Sequence, residues 1–298
     1  MSKLQGIWSP MPTPLAKDGS IDKAGIRTLV DFLIEGGIDG LFPLGTSGEF
    51  ALLTHEERRA VVDAVVDRAN GRVPVFAGVS DPSTENIIHF SADAKDAGVD
   101  GVIATPPYYY TTTNEALYKH FRLIAEKVDL PLMIYNIPEW THVFVPPEVV
   151  GPLAEEKYIV GMKYTEYNLL NLLRFITDVG DKIAIFTGSD AMAYTNLEFG
   201  GSGAIIGVAN IAPKLAAKIF DGYRSGDLHS ARDAQLKLLP LIQAIGIGKF
   251  PAGLKETMKL IGIPVGDAKE PLPRLSKEEV RLVKHYLGEA GLRARSKG

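Results

Sequence analysis

Short, continuously apolar runs alternate along this chain with longer stretches of helical periodicity. There are eight runs: Gly6-Ile7-Trp8, Gly40-Leu41-Phe42, Val73-Pro74-Val75-Phe76, Gly101-Val102-Ile103-Ala104, Leu132-Met133-Ile134-Tyr135, Ile159-Val160-Gly161-Met162, Ile183-Ala184-Ile185-Phe186 and Ala204-Ile205-Ile206. They do not alternate apolar with polar residues, which is the pattern of parallel strands covered on both faces. Between them lie amphipathic segments. Ile26, Leu29, Val30, Leu33 and Ile34 follow helical spacing, as do Val61, Val62 and Val65, then Ile87, Ile88 and Phe90, then Leu117, Phe121 and Ile124. Thr54, with Glu57 three residues later, has the form of a capping box, and Ser276 with Glu279 repeats it. Gly37-Ile38-Asp39-Gly40 and Gly98-Val99-Asp100-Gly101 recur just before strands, as expected where glycine ends a helix and the next strand follows at once.

Eight βα units predict an α/β fold, a closed (β/α)8 TIM barrel over residues 1–224. A doubly wound sheet fits less well, because its first turn is glycine-rich, whereas here that turn carries Pro10, Pro12 and Pro14. Residues 225–298 read as a C-terminal helical extension. Ala231, Leu236, Leu239, Ile242 and Ile245 form one helical stripe, a last helix runs from about Ser276 to Leu287, and the tail from Arg293 to Gly298 is frayed.

Composition narrows the chemistry. The 298 residues, 46% of them hydrophobic, suffice for a barrel with an appendage. A net charge of −4 offers no electrostatic case for nucleic acid or an anionic membrane. The lack of cysteine excludes thiol nucleophiles, disulfides and zinc–thiolate sites. The six histidines are scattered, so no metal is expected. Met1 to Pro14 has no basic segment followed by an apolar run, and no apolar stretch approaches the roughly 20 residues of a membrane span, so a cytoplasmic location is expected.

Barrel active sites lie at the C-terminal ends of the strands. The residues there are Gly45-Thr46-Ser47-Gly48-Glu49, Thr105 to Tyr110, Tyr135-Asn136-Ile137-Pro138, Lys163-Tyr164-Thr165 and Thr187-Gly188-Ser189-Asp190. Lys163 closes an apolar run. A lysine amine kept out of water is held neutral more easily and can attack a ketone to form a Schiff base. By position alone it could equally be a snorkelling or ion-paired lysine. Tyr135 is suited to proton transfer at the same centre, or simply to a buried hydrogen bond. Thr46 and Ser47, in a glycine-flanked loop, suit a carboxylate, or a plain tight turn.

These five segments, in order and at successive strand ends, resemble the dihydrodipicolinate synthase/N-acetylneuraminate lyase family of pyruvate-type class I aldolases, and the resemblance covers essentially the whole chain. It implies that Lys163 is the Schiff-base lysine and Tyr135 the proton shuttle. It further implies that Thr46, Ser47 and Gly48 hold the 2-oxo acid carboxylate, that Gly188 and the main-chain carbonyl of Ile205 border the bound acid, and that Tyr109 enters a neighbouring subunit's site to complete a relay with Tyr135 and Thr46. The usual assembly is a homotetramer, a dimer of dimers, with no cofactor or metal and a small 2-oxo acid as substrate.

Three departures matter. Trp140 stands where synthases of the family carry an arginine for the second substrate's carboxylate, a contact tryptophan cannot make. Thr165 replaces the usual alanine and suits a hydroxylated tail. Pro82 and Asn86 fall where the lysine feedback site expects asparagine and glutamate, and only His55 keeps that pattern. The leading expectation is therefore cleavage or dehydration of a 2-keto-3-deoxy sugar acid or related 2-oxo acid, with Trp140 as an apolar wall and Glu139 near the tail. The alternatives are dihydrodipicolinate synthesis from pyruvate and aspartate semialdehyde, and a non-catalytic pyruvate-binding homologue.

Overall fold

A computed structural model of the protein describes residues 4–294. Residues 295–298 of the expected frayed tail lie outside that range. Eight parallel strands follow the chain: β1 (Gly6–Pro10), β2 (Gly40–Phe42), β3 (Phe76–Gly78), β4 (Gly101–Ala104), β5 (Leu132–Asn136), β6 (Gly161–Tyr164), β7 (Ala184–Thr187) and β8 (Gly203–Ile205). The order β2-β1-β8-β7-β6-β5-β4-β3 closes through a parallel bridge between Leu41 and Val75, so the sheet is a TIM barrel with helices between the strands.

The expected Gly-x-Asp-Gly repeat is a strand clamp. Gly37 and Gly98 take left-handed φ values of 84° and 87° after their helices, a conformation open to glycine. The aspartate that follows then grips a strand. The Asp39 carboxylate accepts from the Ile7 N–H at 2.8 Å while the Asp39 N–H donates to the Ile7 carbonyl at 2.8 Å. Asp100 does the same to Val75. β3 is shorter than the apolar run from Val73 suggests: it begins at Phe76, after Pro74, which has no N–H, and Val75, which makes a single bridge to Leu41.

The apolar residues fill two layers. Between strands and helices lies the larger core, and inside the barrel Trp8, Phe42, Phe76, Ile103, Met133, Phe186 and Ile205 pack with Tyr135. The Trp8 ring lies 5.2 Å from Phe76, edge-on, and 5.6 Å from Phe186. Gly40 makes room for this layer, since a Cβ there would sit 2.3 Å from the Trp8 ring.

Both capping boxes form as expected, at Thr54/Glu57 and Ser276/Glu279. The C-terminal region differs from the expectation. The single stripe from Ala231 to Ile245 is two helices, Leu228–Lys237 and Leu239–Ile245, broken where Pro240 enters the second helix's first turn. Leu236 and Leu239 consequently point outward. A further helix, Ala252–Ile261, was not foreseen. Among the described residues no helix is long and apolar enough to cross a membrane.

Candidate active site

Register alone brings the two central residues together. In the β5/β6 pairing Tyr135 lies opposite Lys163, and β7 places Phe186 on the other side of Lys163. Lys163 is thus at the end of β6 where the apolar run places it, one residue before the strand's last, and paired on both flanks. It is only 4% exposed. Its Nζ donates to the Tyr135 hydroxyl at 3.1 Å and lies 4.2 Å from the Tyr135 ring centre and 5.2 Å from that of Phe42. Because the Tyr135 oxygen accepts from Lys163, its proton is free to go to Thr46 Oγ1, 3.1 Å away. The three side chains form one line, amine to phenol to alcohol.

Above them opens a cavity of about 310 Å³, lined by Thr46, Ser47, Tyr135, Lys163, Thr165, Gly188 and Ile205 among others. Gly188 is required for close approach: a Cβ there would lie 1.9 Å from Thr165 Oγ1 and 2.7 Å from Lys163 Cε. Thr165 lines the same space, and its Oγ1 is buried with no hydrogen-bond partner among the described residues. Glu139 and Trp140 form one wall. Trp140 is 49% exposed and stands edge-on to Phe250, 6.4 Å away.

Two predicted residues lie elsewhere. Gly48 does not line the cavity. It sits behind the loop, where a Cβ would meet the Leu44 nitrogen at 2.9 Å, and its carbonyl accepts from Thr13 Oγ1 at 2.7 Å. Its role in the motif is packing. Tyr109 is 85% exposed, has φ 83° and packs edge-on to Tyr110, outside its own chain's cavity. Within one chain the proton line ends at Thr46.

Other residues of the five segments acquire roles their sequence position did not reveal. The Asn136 side chain exchanges two hydrogen bonds with the Val145 backbone, at 2.8 and 3.1 Å, and so holds the loop that carries Trp140. Asp190 lines the cavity, accepts from the Val208 N–H at 2.7 Å, and is pushed up to about 6 by burial, against the pull of that N–H and of the Lys163 charge. Glu166 lines the cavity too and accepts from the buried Tyr164 hydroxyl. Ile242 and Ile245, from the helix Leu239–Ile245, and Gly246 and Phe250, from the connection that follows it, also line the cavity. His55, the remnant of the feedback pattern, pairs with Asp93 on the barrel exterior. Among the described residues no group of three or more His, Asp or Glu side chains is placed to hold a metal.

Comparison with known proteins matches residues 3–290 to the model of the dihydrodipicolinate synthetase family. The 4-hydroxy-tetrahydrodipicolinate synthase of Methanocaldococcus jannaschii is 37% identical over 289 residues, covering 97% of this chain and 99% of the relative. That of Pelobacter propionicus is 38% identical over 259 residues, covering 87% and 89%. Among solved structures, E. coli YagE in complex with pyruvate superposes with a TM-score of 0.93 at 33% identity, covering 97% of this chain and 99% of that one. Dihydrodipicolinate synthase of Aquifex aeolicus gives 0.94 at 29% identity, covering 98% and 100%. The chain belongs to the dihydrodipicolinate synthetase family, and it is an enzyme of the class I Schiff-base lyase and aldolase type.

Proposed function

We propose that the Lys163 amine attacks the C2 carbonyl of pyruvate, or of a pyruvate-derived 2-oxo acid, and that the enamine so formed makes or breaks a carbon–carbon or carbon–oxygen bond. The observation that carries this is the line from Lys163 through Tyr135 to Thr46 at 3.1 Å per step. Attack of the amine turns the ketone oxygen into an alkoxide, which Tyr135 protonates while drawing a proton back along the line. The second proton of the attacking nitrogen follows the same way through Tyr135, so that the oxygen leaves as water and the ketimine remains. Transfer of a C3 proton to the ketimine nitrogen, with Tyr135 as the carrier, gives the enamine. The substrate carboxylate fits the Thr46–Ser47 turn, and the Ile205 main chain borders the methyl end. Pyruvate bound by YagE, a relative of the same fold, supports this substrate class.

For the second reactant two readings rest on different observations. The curated relatives carry the name 4-hydroxy-tetrahydrodipicolinate synthase, and they favour condensation of the enamine with aspartate semialdehyde over the sugar-acid cleavage that the sequence put first. Cleavage or dehydration of a 2-keto-3-deoxy sugar acid draws its support from the cavity. Among the described residues Lys163 is the only cation lining it, against Glu139, Glu166 and Asp190, and Trp140 offers no ionic contact to a second carboxylate. The unpartnered Thr165 hydroxyl suits a hydroxylated tail.

The test is reduction with borohydride in the presence of pyruvate, followed by peptide mass spectrometry. Added mass at Lys163 is expected, and its absence sinks the enamine reading. Turnover is then compared on pyruvate with aspartate semialdehyde and on a panel of sugar-derived 2-oxo acids. Condensation in the wild type, rising further in Trp140→Arg, establishes the synthase. Cleavage of a sugar acid without condensation establishes the second reading.

A further inference from the structure

The glutamate that ends the Gly45–Glu49 loop has its carboxylate turned away from the cavity, into the protein. Its side chain is 0% exposed and ion-paired with Lys255, itself 1% exposed, on the helix Ala252–Ile261. The other carboxylate oxygen accepts from the Lys269 N–H. Lys255 Nζ also donates to the Asp267 carbonyl at 2.9 Å. Two segments of the C-terminal region thus hold one residue of the loop after β2. That residue is locked into the loop it terminates: Glu49 has φ 59°, its N–H closes onto the Thr46 carbonyl at 3.1 Å, and Gly48 closes onto Gly45 at 2.9 Å. The helix that carries Lys255 begins two residues after Phe250, which lines the cavity.

Taking both charges out of water is costly, and a buried pair of this kind is often no more stabilising than apolar residues of the same size. Net stability is therefore a poor reason for it. Its effect is geometric, because it ties the end of the carboxylate-binding turn to the helix that follows Phe250, a residue of the cavity lining. We infer that Glu49 and Lys255 are positioning residues for the 2-oxo acid carboxylate, fixing the Thr46–Ser47 turn, and with it the reach of Thr46 to Tyr135, from the C-terminal region. This deepens the enamine reading and rests on it.

The experiment measures the pyruvate concentration that half-saturates borohydride trapping at Lys163. It uses wild type, Lys255→Met, the double variant Glu49→Gln/Lys255→Met, and Ile87→Ala as a control that loosens the outer core far from the cavity. Thermal unfolding is followed on each. In Lys255→Met the half-saturating concentration is expected to rise at least about tenfold, as when a binding loop loses its preorganisation, with the adduct at saturating pyruvate still formed. The double variant, which buries no orphan charge, is expected to regain thermal stability yet keep a raised half-saturation. A shift of equal size in Ile87→Ala, or a folded double variant that saturates like wild type, overturns the inference. Should Lys255→Met not fold, the double variant decides alone. Lack of trapping in the wild type itself refutes the enamine reading and this inference with it, whereas wild-type trapping that the double variant matches overturns this inference alone.

Discussion

Adding one methyl group at Gly188 gives the sharpest test of the site's geometry. In Gly188→Ala the new Cβ would lie 1.9 Å from Thr165 Oγ1, 2.9 Å from Thr165 Cβ and 2.7 Å from Lys163 Cε. Ordinary contact begins at 3.4 Å. Rotating Thr165 clears its hydroxyl but not its Cβ, so the Lys163 stem must still yield by about 0.7 Å unless the backbone of β7 retreats. Gly188 has no left-handed φ, so the backbone tolerates alanine and the clash acts by itself. Overpacking of this kind costs about 1–3 kcal/mol in stability. A misplacement of 1 Å at reacting groups costs about 100-fold, so the rate of adduct formation at saturating pyruvate should fall about 10- to 100-fold. Single-turnover trapping with borohydride measures that rate directly, with thermal unfolding as the check on folding. A folded variant that traps pyruvate within about twofold of wild type would refute the claim that Gly188 leaves space for the lysine.

Two further outcomes follow from the same geometry. Tyr135→Phe removes the middle of the proton line while keeping the ring beneath Lys163, so kcat should drop about 100- to 10,000-fold with little change in KM, read from steady-state kinetics on the accepted donor. Asp190 holds its proton more tightly folded, at about 6, than the usual 3.8 of an unfolded chain. Its raised value means that it favours the fold fully below the unfolded value, and that this contribution is lost as pH rises through 6. Urea unfolding should therefore show wild type losing about 2 kcal/mol relative to Asp190→Asn between pH 4 and pH 7, with the cavity's water damping the effect. Parallel stability curves for the two proteins across that range would rule it out.

What could be read from the sequence was local or periodic. The eight apolar runs, the two capping boxes and the chain order of the strand ends are short-range signals, and together they imply a barrel with Lys163, Tyr135 and Thr46 at one mouth. The place of Lys163 at its strand end was legible because it closes an apolar run, although β6 extends one residue further, to Tyr164. Pro240 was visible, but helical spacing on either side of it masked the break between Leu228–Lys237 and Leu239–Ile245. The contribution of the C-terminal helices was hidden for a different reason. Glu49 and Lys255 are joined only by the fold, and nothing in the spacing around either marks a partner so far along the chain. One cue existed: Lys255 interrupts an otherwise apolar helix face between Leu254 and Met258, a place where a charge has to have a partner. Gly48 shows the converse, since a motif glycine that looked like a substrate contact is there to let the loop pack on Leu44.

The protein has two tryptophans, and the fold has put them at opposite extremes. Trp8 is sealed in the barrel at 1% exposure, ringed by Phe76 and Phe186, whereas Trp140 stands half in solvent on the cavity wall beside Phe250. Their emission is therefore separable by colour and by accessibility to a soluble quencher. The blue, protected component reports whether the barrel is closed, and the red, quenchable one reports whether the cavity is filled. An unlabelled sample carries two independent optical gauges, so ligand titration and unfolding can be followed in the same cuvette without confusing one for the other.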